Sequence, residues 1–242
     1  MSNFFNCPPF KAWAFALLIF TIQSPLSAQN SEIGLALGGA VYRGDIEVGV
    51  QNALPQMRLM GGVFYRHHLS HRWALRGQLT VGQFFADEKR YPAPSVDDWR
   101  PRRGISFSSP FVELAILPEW RFLHTQTIDF YAFTGLAGFY FKPKTDYNEP
   151  FSQAIIGSPN LDKNASFSNF SGAIPLGVGA QWFLGDKTAI GLEVSGRKTY
   201  TDHIDGLSLM AQPKVKDNYF FINLTLSMRV SGGDKGVSCP KF

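Results

Sequence analysis

The sequence has little cysteine, no long hydrophobic run and no cluster of one charge, and each absence excludes a class of protein. Only two cysteines occur in 242 residues, and they cannot form the disulfide framework of a small secreted domain. The apolar run at 12–22 is shorter than the roughly 20 residues that a membrane-crossing helix needs. The 23 basic and 19 acidic side chains are spread along the chain, which gives nucleic-acid binding no support.

Motifs of known chemistry are also missing. No Gly-x-Ser-x-Gly elbow is present, and the histidines between 67 and 71 lie in a predicted turn with no carboxylate nearby in sequence. Glu113 and Glu119 are separated by six residues of one predicted strand, roughly 20 Å at ~3.3 Å per residue, too far apart for paired acid and base catalysis. We therefore predict a non-enzymatic protein with no catalytic, metal or cofactor site and no small-molecule substrate.

The first residues follow the order of a secretory signal peptide. Lys11 precedes the apolar run at 12–22, and Pro25 and the small pair Ser27-Ala28 follow it. Cleavage after Ala28 is expected, and an uncleaved membrane helix is the alternative. The predicted organisation is a signal peptide at 1–28, one domain at 29–230, and a short tail at 231–242 that contains Cys239.

The mature chain is dominated by an alternation of period two, in which bulky apolar residues face one side of an extended strand and more polar residues face the other. This pattern occurs eight times in all, at 33–41, 57–66, 73–81, 112–121, 129–142, 174–182, 190–197 and 219–230. Pro118 interrupts the fourth segment and predicts a bulge there. The fifth segment is apolar on both faces, so its orientation cannot be assigned.

The lengths of the segments and of their connections indicate the fold. Each segment is about 10 to 15 residues long, which suits a tilted strand that crosses a membrane. The connections alternate strictly between long ones, at 43–56, 86–105, 143–167 and 199–216, and short ones, at 69–72, 124–127 and 185–187. We predict an all-β, eight-stranded antiparallel transmembrane β-barrel of up-and-down topology in the bacterial outer membrane, with both termini in the periplasm. A soluble lipocalin-like barrel, with its apolar face inward, is the alternative.

If the apolar faces contact lipid, the charged faces point into the barrel. Eight strands enclose room for little more than side chains, so these charges should pair with one another and fill the lumen. The predicted lumen network comprises Arg58, Arg66, Arg76, Glu113, Glu119, Arg121, Glu193, Arg197 and Arg229. Aromatic residues near the strand ends are expected in the interfacial girdles, namely Tyr42, Phe84, Phe85, Trp120, Phe122, Phe139, Tyr140, Phe141 and Tyr219.

Three stretches of the sequence are informative together. They are Tyr42-Arg43-Gly44-Asp45, then Arg103-Gly104-Ile105-Ser106-Phe107 leading to Glu113 and Glu119, and then Gly196-Arg197-Lys198-Thr199-Tyr200-Thr201-Asp202-His203-Ile204-Asp205. Their order and spacing resemble the PorG-like family of small outer-membrane barrels.

The resemblance implies a component or accessory of a type IX protein secretion apparatus, with outer-membrane lipid around the barrel and periplasmic secretion-ring proteins as partners. The loop residues of the family motif would be Tyr42, Gly44, Asp45, Thr201, Asp202 and Asp205. The alternative is a structural or adhesive surface barrel that acts through its extracellular loops, above all the mixed-charge loop at 86–104.

Overall fold

A computed structural model of the protein describes residues 31–43, 54–87, 106–146, 168–185, 187–201, 203–204 and 217–230. Its strands are β1 (Ser31–Arg43), β2 (Arg58–His68), β3 (Trp73–Asp87), β4 (Ser106–His124), β5 (Ile128–Thr134), β6 (Leu136–Phe141), β7 (Lys144–Asp146), β8 (Phe170–Phe183), β9 (Thr188–Thr199) and β10 (Asn218–Val230). A short 3₁₀ helix, Leu54–Gln56, precedes β2. The predicted signal peptide and tail lie outside the described residues.

The strands close into a ring. Strand β1 pairs with β2, β2 with β3, and β3 with β4. Strand β4 then pairs with β5, β6 and β7 in turn. Both β5 and β6 pair with β8 on their other side. The ring continues through β9 and β10 back to β1, and every pairing is antiparallel. Because β5, β6 and β7 follow one another along β4, together they occupy one strand position in the wall. We call each such position a stave, and the barrel has eight staves. The prediction of an eight-stranded antiparallel barrel is confirmed.

The apolar face of the barrel points outward. Along β4, for example, Leu114 and Ile116 are 62% and 60% exposed, whereas Glu113 and Glu119 on the opposite face of the same strand are fully buried. A soluble barrel would have the opposite arrangement, because exposed apolar surface of this extent is unfavourable in water. The exposed apolar wall identifies a transmembrane barrel of the outer-membrane type. Among the described residues, no helix is long and apolar enough to cross a membrane.

The wall formed by β1, β10 and β9 shows the height of the apolar band. Its outward residues form successive rungs that run from Ile33 and Met228 through Leu37, Leu224 and Leu192 to Phe220. From Phe220 to Val230 on β10, ten steps of ~3.3 Å along a strand tilted by about 40° correspond to a height of roughly 25 Å, the thickness of the apolar band of outer-membrane barrels. This wall is therefore long enough to cross the hydrocarbon region.

The fifth stave contains the main irregularities. Gly135 separates β5 from β6, and a Cβ atom there would lie 2.0 Å from the carbonyl oxygen of Ile116, so only glycine fits. The register against β4 shifts between Arg121 and Leu123. Pro118 instead pairs with Leu75 in continuous register, with its ring on the outward face of the strand. The bulge predicted at Pro118 is therefore wrong, and the irregularity lies a few residues later.

Candidate functional site: the ion-paired lumen

The inward faces of the staves place a buried charge network in the half of the lumen nearest the short turns. Arg66 Nη1 lies 3.0 Å from Glu32 Oε2 and Arg66 Nε lies 2.8 Å from Glu119 Oε2. Arg76 Nε lies 2.8 Å from the other oxygen of Glu119, and Arg76 Nη1 donates to Glu193 Oε1 at 2.5 Å. Glu119 therefore bridges two guanidinium groups, and each arginine contacts at least two carboxylates.

Neutral side chains complete this network. Gln181 accepts from Arg66 at 2.9 Å, and its amide nitrogen lies 3.3 Å from Glu32 and 3.1 Å from Ser227. The hydroxyl of Tyr131 donates to Glu193 Oε1 at 2.6 Å. Buried charges are stable only when paired and hydrogen-bonded, and these contacts use the lone pairs that the arginines leave free.

A histidine branch extends the network toward the short turns. His68 Nε2 lies 2.8 Å from Glu32 Oε1, and Arg121 Nη1 lies 3.2 Å from Asp129 Oδ2. His124 Nδ1 also contacts Asp129. The ion pairs of the described lumen thus join five carboxylates to four arginines and two histidines, so the charges nearly balance.

A second, smaller cluster lies closer to the long connections. Arg197 Nη2 lies 3.4 Å from Glu113 Oε1, and the hydroxyl of Tyr219 donates to Glu113 Oε2 at 2.5 Å. The Arg197 guanidinium also contacts Ser195 and lies 3.9 Å from the centroid of the Phe221 ring. Glu113 and Glu119 therefore belong to separate ion-paired clusters.

Aromatic residues fill the lumen beyond Glu113. The rings of Phe84 and Phe111 stack with centroids 4.2 Å apart, and Phe111 stacks on Phe221 at 5.6 Å. The fully buried members are Tyr42, Phe84, Phe107, Phe139, Phe141, Tyr219 and Phe221, with Ile204 packed among them. The prediction that Tyr42, Phe84, Phe139, Phe141 and Tyr219 belong to the interfacial girdles is wrong, because each occupies an inward position of its strand. Trp120, Phe122 and Tyr140 are on the outer wall and exposed.

Glycines on neighbouring strands make room for several inward rings. A Cβ atom at Gly179 would lie 2.6 Å from the Tyr131 ring, one at Gly177 would lie 2.5 Å from Phe133, and one at Gly34 would lie 2.2 Å from Phe64. In each case the glycine and the ring are direct cross-strand partners. The narrow lumen therefore accommodates large rings only because the facing residue has no side chain.

The last long connection is tied to the aromatic end of the lumen. Asp217 accepts a hydrogen bond from the Tyr42 hydroxyl at 2.5 Å and another from the Ile204 backbone N–H at 2.9 Å. The backbone N–H of Asp217 donates to Thr201 O at 3.2 Å. These bonds hold both ends of the connection together and place Ile204 in the barrel mouth.

The predicted lumen charges are not all equally deep. Seven of the nine are buried and take part in the contacts described above: Arg66, Arg76, Glu113, Glu119, Arg121, Glu193 and Arg197. Arg58 lies at the mouth, with its guanidinium carbon 4.0 Å from the centroid of the Phe85 ring. Arg229 is exposed near the end of β10, because that strand extends past its last buried position there.

Of the family-motif residues, Tyr42 and Thr201 are described, and Gly44, Asp45, Asp202 and Asp205 lie outside the described residues.

The sequence prediction missed two buried carboxylates and two histidines. Glu32 shares the inward phase of Gly34 and Ala36, and this phase could have identified it. His68 continues the phase of Arg66 in the same way. Asp129 lies in the segment that is apolar on both faces, and its only signal is the alternation with Tyr131. Within the described part of the chain, no three His, Cys, Asp or Glu side chains are close enough together to hold a metal ion.

The family to which the sequence belongs can now be stated. A family model described as Domain of unknown function (DUF6089) matches residues 11–228. The chain belongs to this family. The match covers every described strand except the last two residues of β10, so the barrel is the fold of this DUF6089 domain. No curated protein sequence matches the chain.

Several solved structures are similar at low sequence identity. The chain is 12% identical to Ail, the attachment invasion locus protein of Yersinia pestis, over 83% of this chain and 97% of Ail, with a TM-score of 0.47. It is 10% identical to Neisserial surface protein A over 82% and 96% of the two chains, with a TM-score of 0.42. For OprG of Pseudomonas aeruginosa the identity is 9%, the coverage is 83% and 94%, and the TM-score is 0.41.

Proposed function

We propose that this DUF6089 barrel is a non-enzymatic, PorG-like outer-membrane protein that serves as a component or accessory of a type IX secretion apparatus. In this proposal, the signal peptide is removed after export and both ends of the barrel domain face the periplasm. The lumen charge network has a structural role, and partner proteins bind at the rims of the barrel.

The contacts across the lumen are the observation that carries this proposal. Arg76 and Glu193 lie on opposite staves of the ring, as do Glu113 and Tyr219, and each pair is in hydrogen-bonding contact. A path wide enough for a polypeptide or a metabolite would require both contacts to be absent. A barrel closed in this way acts through its surfaces rather than through transport along its axis.

The stretches that resemble the PorG-like family meet in space, which supports the proposal further. Tyr42 from the first stretch and Ile204 from the third share the carboxylate of Asp217. Glu113, which the second stretch leads to, pairs with Arg197 of the third. Residues far apart in sequence thus form one unit at the mouth, and such an arrangement is a plausible reason for a shared motif.

The test is deletion of the gene in the native bacterium, followed by measurement of the fraction of type IX cargo that reaches the medium. The proposal expects cargo to accumulate in the periplasm and secretion-ring proteins to cross-link to the barrel in wild-type membranes. Normal secretion in the deletion strain, or purification free of ring proteins, would contradict it.

The second candidate is a structural or adhesive surface barrel, and the asymmetry of the connections favours it. All short turns lie at one end, and the long connections at the other end are where surface contacts would be made. Replacing 86–104 with a short linker would then abolish binding to surfaces and leave secretion intact. Lost secretion with intact surface binding would favour the secretion role.

A further inference from the structure

Two exposed cations lie on the outer wall, directly beyond the apolar band. Arg43 on β1 and Lys198 on β9 both pair in register with Asn218 on β10, so the three residues form one rung. All three are at outward positions, and the side chains of Arg43 and Lys198 are exposed. We call Arg43, Asn218 and Lys198 the basic rung.

The basic rung lies at the level of an interface. The next outward rung toward the membrane contains Val41, Phe220 and Gly196, with the Phe220 ring 3.1 Å from where a Cβ of Gly196 would be. Beyond that rung the outward positions of β1, β10 and β9 carry only apolar residues and glycine as far as Ile33, Met228 and Ile190. The rung is at the end of the long connections, which in outer-membrane barrels is the outer leaflet.

The spacing of the two cations suits a single phosphate group. Neighbouring strands are about 4.8 Å apart, so the Cα atoms of Arg43 and Lys198 are separated by roughly 10 Å across β10. At this Cα separation, the guanidinium group of Arg43 and the ammonium group of Lys198 can both reach one anion between them. Arginine and lysine are the side chains that bind phosphate oxygens best.

Neither cation has an acidic partner in the part of the chain that the structure describes. Among the residues that the structure describes, no carboxylate forms an ion pair with Arg43 or Lys198. The four buried arginines of the lumen, Arg66, Arg76, Arg121 and Arg197, by contrast, are all ion-paired. Two neighbouring cations at the edge of the hydrocarbon region are stabilised by an anionic group at the same depth. The head groups of the surrounding lipids lie at that depth.

We propose that the basic rung binds a phosphate of an anionic outer-leaflet glycolipid of the lipid A type, with its acyl chains lying along the apolar rungs below. This inference rests on the proposed orientation of the barrel and is independent of the secretion role. The lipid would be a specific annular ligand of the β1–β10–β9 wall.

The experiment uses the full mature chain reconstituted in phosphatidylcholine vesicles that contain spin-labelled lipid A. The relative association constant follows from the fraction of label that the barrel immobilises. The wild-type protein should prefer bisphosphorylated lipid A to the same lipid without phosphates, and Arg43→Gln/Lys198→Gln should reduce that preference on the order of tenfold. Heat-modifiable gel migration checks that each variant is folded.

Two further variants separate the site from general charge. Arg72→Gln/Lys187→Gln removes two exposed cations from the short-turn end and should leave the preference unchanged, whereas Arg43→Lys/Lys198→Arg keeps both charges and should retain it. An unchanged preference in Arg43→Gln/Lys198→Gln, or an equal loss in the short-turn variant, would overturn the proposal. Displacement of the labelled lipid by excess inorganic phosphate would also overturn it, because the site would then recognise phosphate without the lipid.

Discussion

Arg76 on β3 and Glu193 on β9 make contact across the full width of the barrel, with Arg76 Nη1 2.5 Å from Glu193 Oε1. Three staves lie between β3 and β9 in either direction around the ring. A contact between opposite walls means that the lumen at this level is occupied by the two side chains themselves. Tyr219 and Glu113 make the corresponding contact nearer the mouth.

The energetic role of the Arg76–Glu193 pair can be tested by removing one partner or both. Glu193→Gln or Arg76→Met alone leaves a buried charge short of a partner, and we expect each to lower the free energy of unfolding by about 3 to 5 kcal/mol. The double variant should be less destabilised than the sum of the two. Urea unfolding in lipid vesicles measures these values. Additive losses would show that the pair is not coupled.

The rings that face glycines lead to a prediction about folding. Gly179→Ala places a methyl group where the Tyr131 ring lies, and we expect a loss of about 1 to 3 kcal/mol and a smaller folded fraction on a heat-modifiable gel. The matched control is Gly77→Ala, since no atom lies within 4 Å of the Cβ position there. Equal effects of the two substitutions would contradict the proposed packing of the lumen.

The Tyr42–Asp217 bond should stabilise the last long connection at the mouth. Tyr42→Phe removes the hydroxyl that donates to the buried carboxylate, and we expect a loss of about 1 to 3 kcal/mol. Faster limited proteolysis between residues 204 and 217 should accompany it. Tyr140→Phe, on the exposed outer wall, serves as the control. Unchanged proteolysis in Tyr42→Phe would show that the bond does not hold the connection.

Much of the barrel could be predicted from the sequence because lipid outside and charge inside impose a strict alternation of period two. That alternation places Arg66, Arg76 and Glu193 on the inward face, and all three side chains are buried. It failed on β5 and β6, where both faces are apolar, because the inner face there consists of rings packed on glycines. Alternation also cannot distinguish an inward tyrosine at a strand end from an interfacial one, which explains the wrong placement of Tyr219.

The partners of each charge could not be predicted, because they depend on the register of staves that are distant in sequence. Glu119 contacts Arg66 and Arg76, while Glu113, on the same face of the same strand, contacts Arg197. Alternation shows only that all five side chains point inward. The shift between Arg121 and Leu123 changes the alignment of β4 with the fifth stave, and it has no clear local signal.

The most direct test of the filled lumen is electrical. The purified mature protein, reconstituted in a planar lipid bilayer, should give no stable conductance steps above those of the bare bilayer, because opposite walls are in contact at two levels. Heat-modifiable migration of the same preparation would show that the barrel is folded. Steady ohmic steps from folded wild-type protein would mean that a water-filled path runs past Arg76 and Glu193, and would contradict the proposal of a closed barrel.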